Sequence, residues 1–313
     1  MSTIRSIPRL SLRRERWETP DADFIDVDFS ESGTSGEPRP DRPTVLILHG
    51  LESGSRARPV LGFLAAVAKR GWRAAAVNFR SCSGEPNRLA RAYHGGDTTD
   101  LAWAVERLTA QAPRAPLACI GLSLGGNILL KYLGEQGTAV PSSLKAAAAV
   151  SAPADLAASA RIFEQGRANR FYMRRLVRSL KRKTQAKLVR HPALISPERL
   201  DAIRTIADFD EAVTAPIHGF RNAEHCWKSA SCGPLLASIR IPTLLINAKD
   251  DPLVPSWAIQ QRAAEQNSRL TADITEQGGH LGFIAGGYPG ATTRWAEERV
   301  IAFLDVEIAS FAV

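Results

Sequence analysis

A serine hydroxyl is a poor nucleophile until a base takes its proton and a third group holds that base in place. The hydroxyl that stands out in this sequence is Ser123, in the pentapeptide GLSLG from Gly121 to Gly125, after the apolar run ACI and before NILLKYL. The bare pattern G-x-S-x-G is cheap: with Gly and Ser at roughly 7% each, about one chain in ten of this size carries it by accident. Its place along the chain makes it informative. Ser123 closes a strand-like run and opens a helix-like one, which is where a nucleophile elbow holds its serine in a strained conformation. The helix there packs close to the strand, and glycines two positions either side avoid a clash.

On such a scaffold the partners follow in the order serine, acid, histidine. Of the six histidines, 49, 94, 191, 218, 225 and 280, only His280 lies beyond the run PTLLINA and the acids that trail it, in the glycine-bounded loop EQGGHLGF. The acid that orients the imidazole is sought in NAKDDPLVP. Adjacent residues point in different directions, so one of Asp250 and Asp251 faces His280; Asp251, beside the proline turn, is expected to do so, leaving Asp250 to bond loop amides. Asp155, in SAPADL one strand earlier, is the alternative acid.

The negative charge that develops on a carbonyl oxygen needs preorganised donors, each worth about 3 kcal/mol by mutation. The expected pair is the backbone amides of Leu124, after the nucleophile, and of Leu51, in LILHGLESGS. His49 in that loop stands in the wrong order for a base and is read as a structural prop. A serine in place of an aspartate nucleophile points to acyl transfer to water and away from dehalogenase or epoxide-hydrolase chemistry.

These groups need a scaffold that brings residues 123, 251 and 280 together. Short apolar runs, TVLILH, RAAAVNF, PLACIG, KAAAAVS, PTLLINA and RLTADITE, alternate with helical stretches near 57–69, 98–112, 125–135, 257–266 and 293–308. That alternation predicts parallel βα units. The turn-rich segment ESGTSGEPRPDRP at 31–43 separates a short opening strand from the main body. The gap from Pro153 to Arg240 is too long for a loop and predicts an inserted helical cap, 153–240, within one α/β domain, 1–313. In it Met173, Leu176, Val177 and Leu180 mark one helical face, with arginines and lysines on the other.

The chain has 313 residues, 44% hydrophobic and 23% charged, an ordinary globular composition. No apolar run approaches the roughly 18 residues of a membrane span. The opening MSTIRSIPRLSLRRERWETP has no acid in its first fourteen residues and lacks the apolar core of a secretory signal; it is read as a flexible arm. Four dispersed cysteines, Cys82, Cys119, Cys226 and Cys232, make no disulfide framework and suit a reducing cytoplasm. The net charge of +8 is uneven: Arg161 to Arg190 holds eleven Lys or Arg against Glu164 alone, a net of +10, so the rest is about −2.

On these residues the chain resembles the YheT-like branch of the α/β hydrolases, also called AB hydrolase family 4, which includes bacterial esterases and eukaryotic α/β-hydrolase-domain lipases. The likeness runs from RRERWETPDADFIDVDF through NFRSCSGEPNR, YHGGDTTDL, GLSLGGN and DFDEAVTAPIHGF to INAKDDPLVP and GGHLGF. It implies an α/β-hydrolase fold, a triad of Ser123, Asp251 and His280, and hydrolysis of short- to medium-chain carboxylic or glycerolipid esters. The chain departs from the family's usual glycine at Ala22 and Ser81, and has NAEHCW where an aromatic pair is more usual.

His218, His225, Cys226 and Cys232 cluster in sequence, but their spacings match no common zinc pair. Cys82 is read as a packed loop thiol. Aromatic residues of the cap, Phe163, Phe171, Tyr172, Phe209, Phe220 and Trp227, either line an acyl channel or form the cap's own core. The expected protein is a serine carboxylic-ester hydrolase that needs no metal or organic cofactor. Its partner is a small ester substrate; the basic cap is read either as a solvated lid face or as a surface for peripheral contact with anionic lipid, and no motif supports nucleic acid. An alcohol acyltransferase with the same triad, or a non-catalytic membrane- or partner-binding scaffold, are the alternatives.

Overall fold

Runs such as TVLIL and TLLINA are apolar without alternation because both faces of their strands are covered, and every residue in them is buried. The computed structural model describes residues 10–30, 41–286 and 293–309. Its main sheet has strands β1 (Leu12–Glu18), β2 (Phe24–Ser30), β3 (Thr44–Leu48), β4 (Arg73–Asn78), β5 (Leu117–Leu122), β6 (Leu144–Val150), β7 (Thr243–Ala248) and β8 (Leu270–Thr275). They lie in the order β1-β2-β4-β3-β5-β6-β7-β8. β2 runs antiparallel to both β1 and β4, and every pairing from β4 onward is parallel. With all crossovers made by helices, the carboxyl ends of the parallel strands gather at one edge.

Helices α1 (Arg58–Lys69) and α11 (Trp295–Ala309) cover one face of the sheet, meeting Val45, Ile47 and Ile120. On the other face lie α2 (Thr99–Gln111), α3 (Leu124–Gln136) and α10 (Trp257–Gln266), against Leu46, Leu48 and Cys119. All five coincide closely with the predicted helical stretches. Between β6 and β7 the chain forms α4 (Leu156–Phe163), α5 (Arg167–Leu188), α6 (Pro197–Ala202), α7 (Ile206–Phe209), α8 (Ala215–His218) and α9 (Ala223–Ala230). Met173, Leu176 and Val177 of α5 bury against Ile195, Leu200 and Phe209 in a cluster separate from the two beside the sheet.

The opening segment differs from the expected flexible arm. Leu12–Glu18 is a paired edge strand, in register from Leu12 opposite Ser30 to Glu18 opposite Phe24. Charge hid it: Arg14 and Arg16 reach across to form bidentate bonds with Asp28 and Asp26, while Trp17 is only 1% exposed. Residues 1–9, and 31–40 of the turn-rich break, lie outside the described residues. Ala22 and Ser81, the two departures from glycine, both have φ of 62°, in the left-handed region that glycine adopts without steric cost.

Candidate active site

β5 ends at Leu122 and α3 begins at Leu124, so Ser123 is the single residue of the turn between them, with φ 52° and ψ −122°. A side chain is strained there, and persists only where its surroundings fix it. The Ser123 N–H donates to the Val150 carbonyl at 2.8 Å, and the Ser123 carbonyl accepts from the N–H groups of Gly126 and Asn127. Both flanking glycines are required by close approach. A Cβ on Gly121 would stand 2.5 Å from the Gly125 carbonyl oxygen, and one on Gly125 would stand 2.5 Å from that of His49. Gly125 therefore clears the end of β3 as well as serving its own turn.

The loop after β8 brings His280 over this turn. Its Nε2 lies 3.0 Å from Ser123 Oγ, and its Nδ1 lies 2.9 Å from Asp251 Oδ2. In the tautomer these contacts imply, the hydroxyl donates to Nε2 and the Nδ1–H donates to the carboxylate. The Asp251 side chain is 1% exposed, and its Oδ1 accepts from the N–H groups of Leu253 at 2.9 Å and Val254 at 3.1 Å. Its neighbour Asp250 accepts from Gly278 and Gly279, each at 2.8 Å, and so holds the stem of the His280 loop. Asp155 takes no part: it N-caps α4, with Oδ1 accepting from the Ala158 N–H at 2.9 Å.

The loop after β3 approaches Ser123 closely enough that a Cβ on Gly50 would stand 3.1 Å from the serine Cβ. Its next amide is that of Leu51; among the described residues neither this N–H nor that of Leu124 has an acceptor. His49 is fully buried, with Nδ1 donating to the Gly50 carbonyl and Nε2 accepting from the Phe79 N–H. Burial pushes its pKa down to about 4, which keeps it neutral and suits a prop.

Above the serine lies a cavity of about 670 Å³, lined by Ser123, His280, Leu51 and side chains of the helices between β6 and β7. Phe163, Tyr172, Phe209 and Trp227 are among its walls, whereas Phe171 is 74% exposed. Phe220 instead packs on His94 and His225. His218 lies against His94, and Cys226 and Cys232 are buried thiols; among the described residues no three His, Cys, Asp or Glu are placed to share a metal. Burial pushes the Cys82 thiol up to about 11, away from the thiolate. Nor is any described helix long and apolar enough to cross a membrane.

Two features had no place in the sequence reading. Asn127, buried in α3, donates to the Gly95 and Ala230 carbonyls and accepts from the Cys232 N–H, tying the elbow helix to the segment that follows α9. Glu52, next to Leu51, meets Lys183 of α5. The asparagine of GLSLGGN was a visible signal for the first. Nothing in sequence marks the second, whose partners are 131 residues apart.

Comparison with known proteins bears on the fold and the family. Residues 43–286 match the family model described as the α/β hydrolase fold. YheT of Escherichia coli (strain K12), which carries a provisional esterase designation, is 37% identical over 94% of this chain and 87% of its own. Human phospholipase ABHD3 is 30% identical over 93% of this chain and 71% of its own. The monoacylglycerol lipase of Saccharomyces cerevisiae is 31% identical over 85% of this chain and 59% of its own. In structure the chain is similar to the Pyrococcus furiosus esterase Pf2001, with a TM-score of 0.60, 18% identity and coverage of 96% and 93%, a likeness of fold.

Proposed function

From the premise that this chain belongs to the α/β-hydrolase family, and within it to the YheT type, we propose that Ser123, His280 and Asp251 are its catalytic triad. The chain is a carboxylic-ester hydrolase, as the esterase and lipase relatives support. The finer reading is hydrolysis of short- to medium-chain acyl esters, glycerolipid esters included. The observation that carries it is the pair of contacts, 3.0 Å and 2.9 Å, that link hydroxyl, imidazole and carboxylate on the floor of a cavity with apolar walls.

Ser123 Oγ attacks the ester carbonyl while His280 Nε2 takes its proton. Asp251 holds the imidazole in the donating tautomer and stabilises the imidazolium. The oxyanion faces the Leu51 and Leu124 amides, which have no acceptor to give up. Collapse expels the alcohol with a proton from His280, and water then attacks the acyl-enzyme with His280 as base. No step calls on a metal or organic cofactor. The segment 153–240 serves as a cap on a single hydrolase domain spanning 1–313.

A series of p-nitrophenyl esters from acetate to laurate tests this. Turnover is expected to be greatest for the shorter acyl chains and to vanish in a folded Ser123→Ala variant. Retained turnover in that variant would refute the assignment.

Anionic lipid is the second partner in this reading. Arg167, Arg174, Arg175, Arg178 and Arg182 line the exposed side of α5, and among the described residues none has a carboxylate partner. Arg14 and Arg16, by contrast, are both paired. Salt-sensitive binding to anionic but not zwitterionic vesicles is the expected result, and binding to neither would remove the lipid. All four cysteines are free, which supports a reducing compartment such as the cytoplasm.

A further inference from the structure

Glu52 is a buried carboxylate that the proposed chemistry does not use. It follows Leu51 directly, and its backbone is strained, with φ of 52° on a residue other than glycine. Three bonds hold it. The Glu52 N–H donates to the Tyr93 hydroxyl at 2.8 Å, that hydroxyl donates to Glu52 Oε1 at 3.0 Å, and Lys183 Nζ donates to the same Oε1 at 2.9 Å. The carboxylate side chain is 1% exposed, and its Oε2 has no partner among the described residues.

A buried carboxylate without a nearby cation is costly, so Lys183 is its one compensating charge among the described residues. Lys183 belongs to α5, in the segment over the cavity, and not to the sheet. Behind it the same helix is tied down again, because Lys187 Nζ donates to the carbonyls of Leu89 and Ala90. The far side of the loop is equally fixed. Tyr93 stacks on Phe79, whose N–H donates to His49 Nε2, so Glu52 and His49 clamp Gly50 and Leu51 from both ends.

We propose that Glu52 and Lys183 are positioning residues that set the direction of the Leu51 amide, so that the oxyanion donor is complete only when α5 is seated. This rests on the proposed esterase mechanism and deepens it. Glu52 borders the cavity but its side chain is 1% exposed, and Lys183 is not among the cavity's lining residues, so both act through the loop that carries Leu51. Their effect belongs to the step in which charge appears on the carbonyl oxygen, not to substrate capture.

Lys183→Met keeps the aliphatic stem and removes the charge; Glu52→Gln keeps the size and the bond to Tyr93. Loss of an oxyanion donor costs on the order of a hundredfold to a thousandfold in kcat, and misdirection of one should cost about tenfold to a hundredfold. Each variant is therefore expected to lower kcat on a soluble p-nitrophenyl ester by that factor, with KM little changed. A boronic acid that forms a tetrahedral adduct on Ser123 should lose affinity by the same factor. Lys183→Arg should recover most of the loss, and the double variant should fall no further than the worse single one.

Melting curves identify folded variants; should Lys183→Met not fold, Glu52→Gln and Lys183→Gln carry the same test. A folded variant with wild-type kcat, or a loss borne by KM with boronate affinity intact, would overturn the proposal. In either case turnover by the wild type that depends on Ser123 would leave the parent mechanism standing. Were the wild type to show no such turnover, both would fall together.

Discussion

Two neighbouring strands, β6 and β7, each release a loop from the carboxyl edge of the sheet with an aspartate a few residues on, and only one of these acids reaches the imidazole. Asp155 is followed at once by LAASARIF, which starts a helix at the next residue and takes the carboxylate as its N-cap. Asp251 is followed by PLVP, where Pro255 disfavours the helical region at Val254 and α10 begins only at Trp257. The chain there turns its Leu253 and Val254 amides back onto one carboxylate oxygen and leaves the other for His280. The role of an acid at this edge is decided by the chain that follows it, more than by the strand before it.

Substitution of each of three aspartates at this edge tests the difference. Asp251→Asn should lower kcat/KM by about ten-thousandfold, since an amide at this position favours the wrong tautomer. Steady-state kinetics near neutral pH measure it, and a loss under about tenfold would move the acid elsewhere. Asp250→Ala removes the acceptor of two loop amides without touching the imidazole, so the expected loss is about tenfold, from roughly 1.5 kcal/mol of misplacement. Asp155→Ala should leave kcat/KM within about twofold of the wild type and lower stability by about 1 kcal/mol through the lost cap. Denaturant melts beside the kinetics separate the two effects, and a large kinetic loss at Asp155 would reverse the contrast.

The parts of this molecule that were readable in sequence share a physical cause. β3 to β7 announce themselves because strands buried on both faces leave continuous apolar runs, and the elbow because two glycines are needed where α3 meets β5 and β3. His280 was readable by chain order alone. β1 was not, because its buried Trp17 sits among arginines whose pairing with Asp26 and Asp28 is a cross-strand fact. In the same way α5 showed its apolar face in Met173, Leu176 and Val177, while Lys183 looked like one more basic residue until the fold brought Glu52 beneath it. Periodicity reports which face is buried, and long-range polar contacts leave no period to read.

Ser123 as nucleophile is tested by covalent labelling: a fluorophosphonate reacted with the native enzyme, followed by peptide mapping and residual turnover on a p-nitrophenyl ester. One adduct is expected, on the peptide that carries Ser123, with turnover lost in step and no labelling of a folded Ser123→Ala variant. An adduct on another residue accompanied by inactivation, or full turnover after Ser123 is modified, would contradict that role.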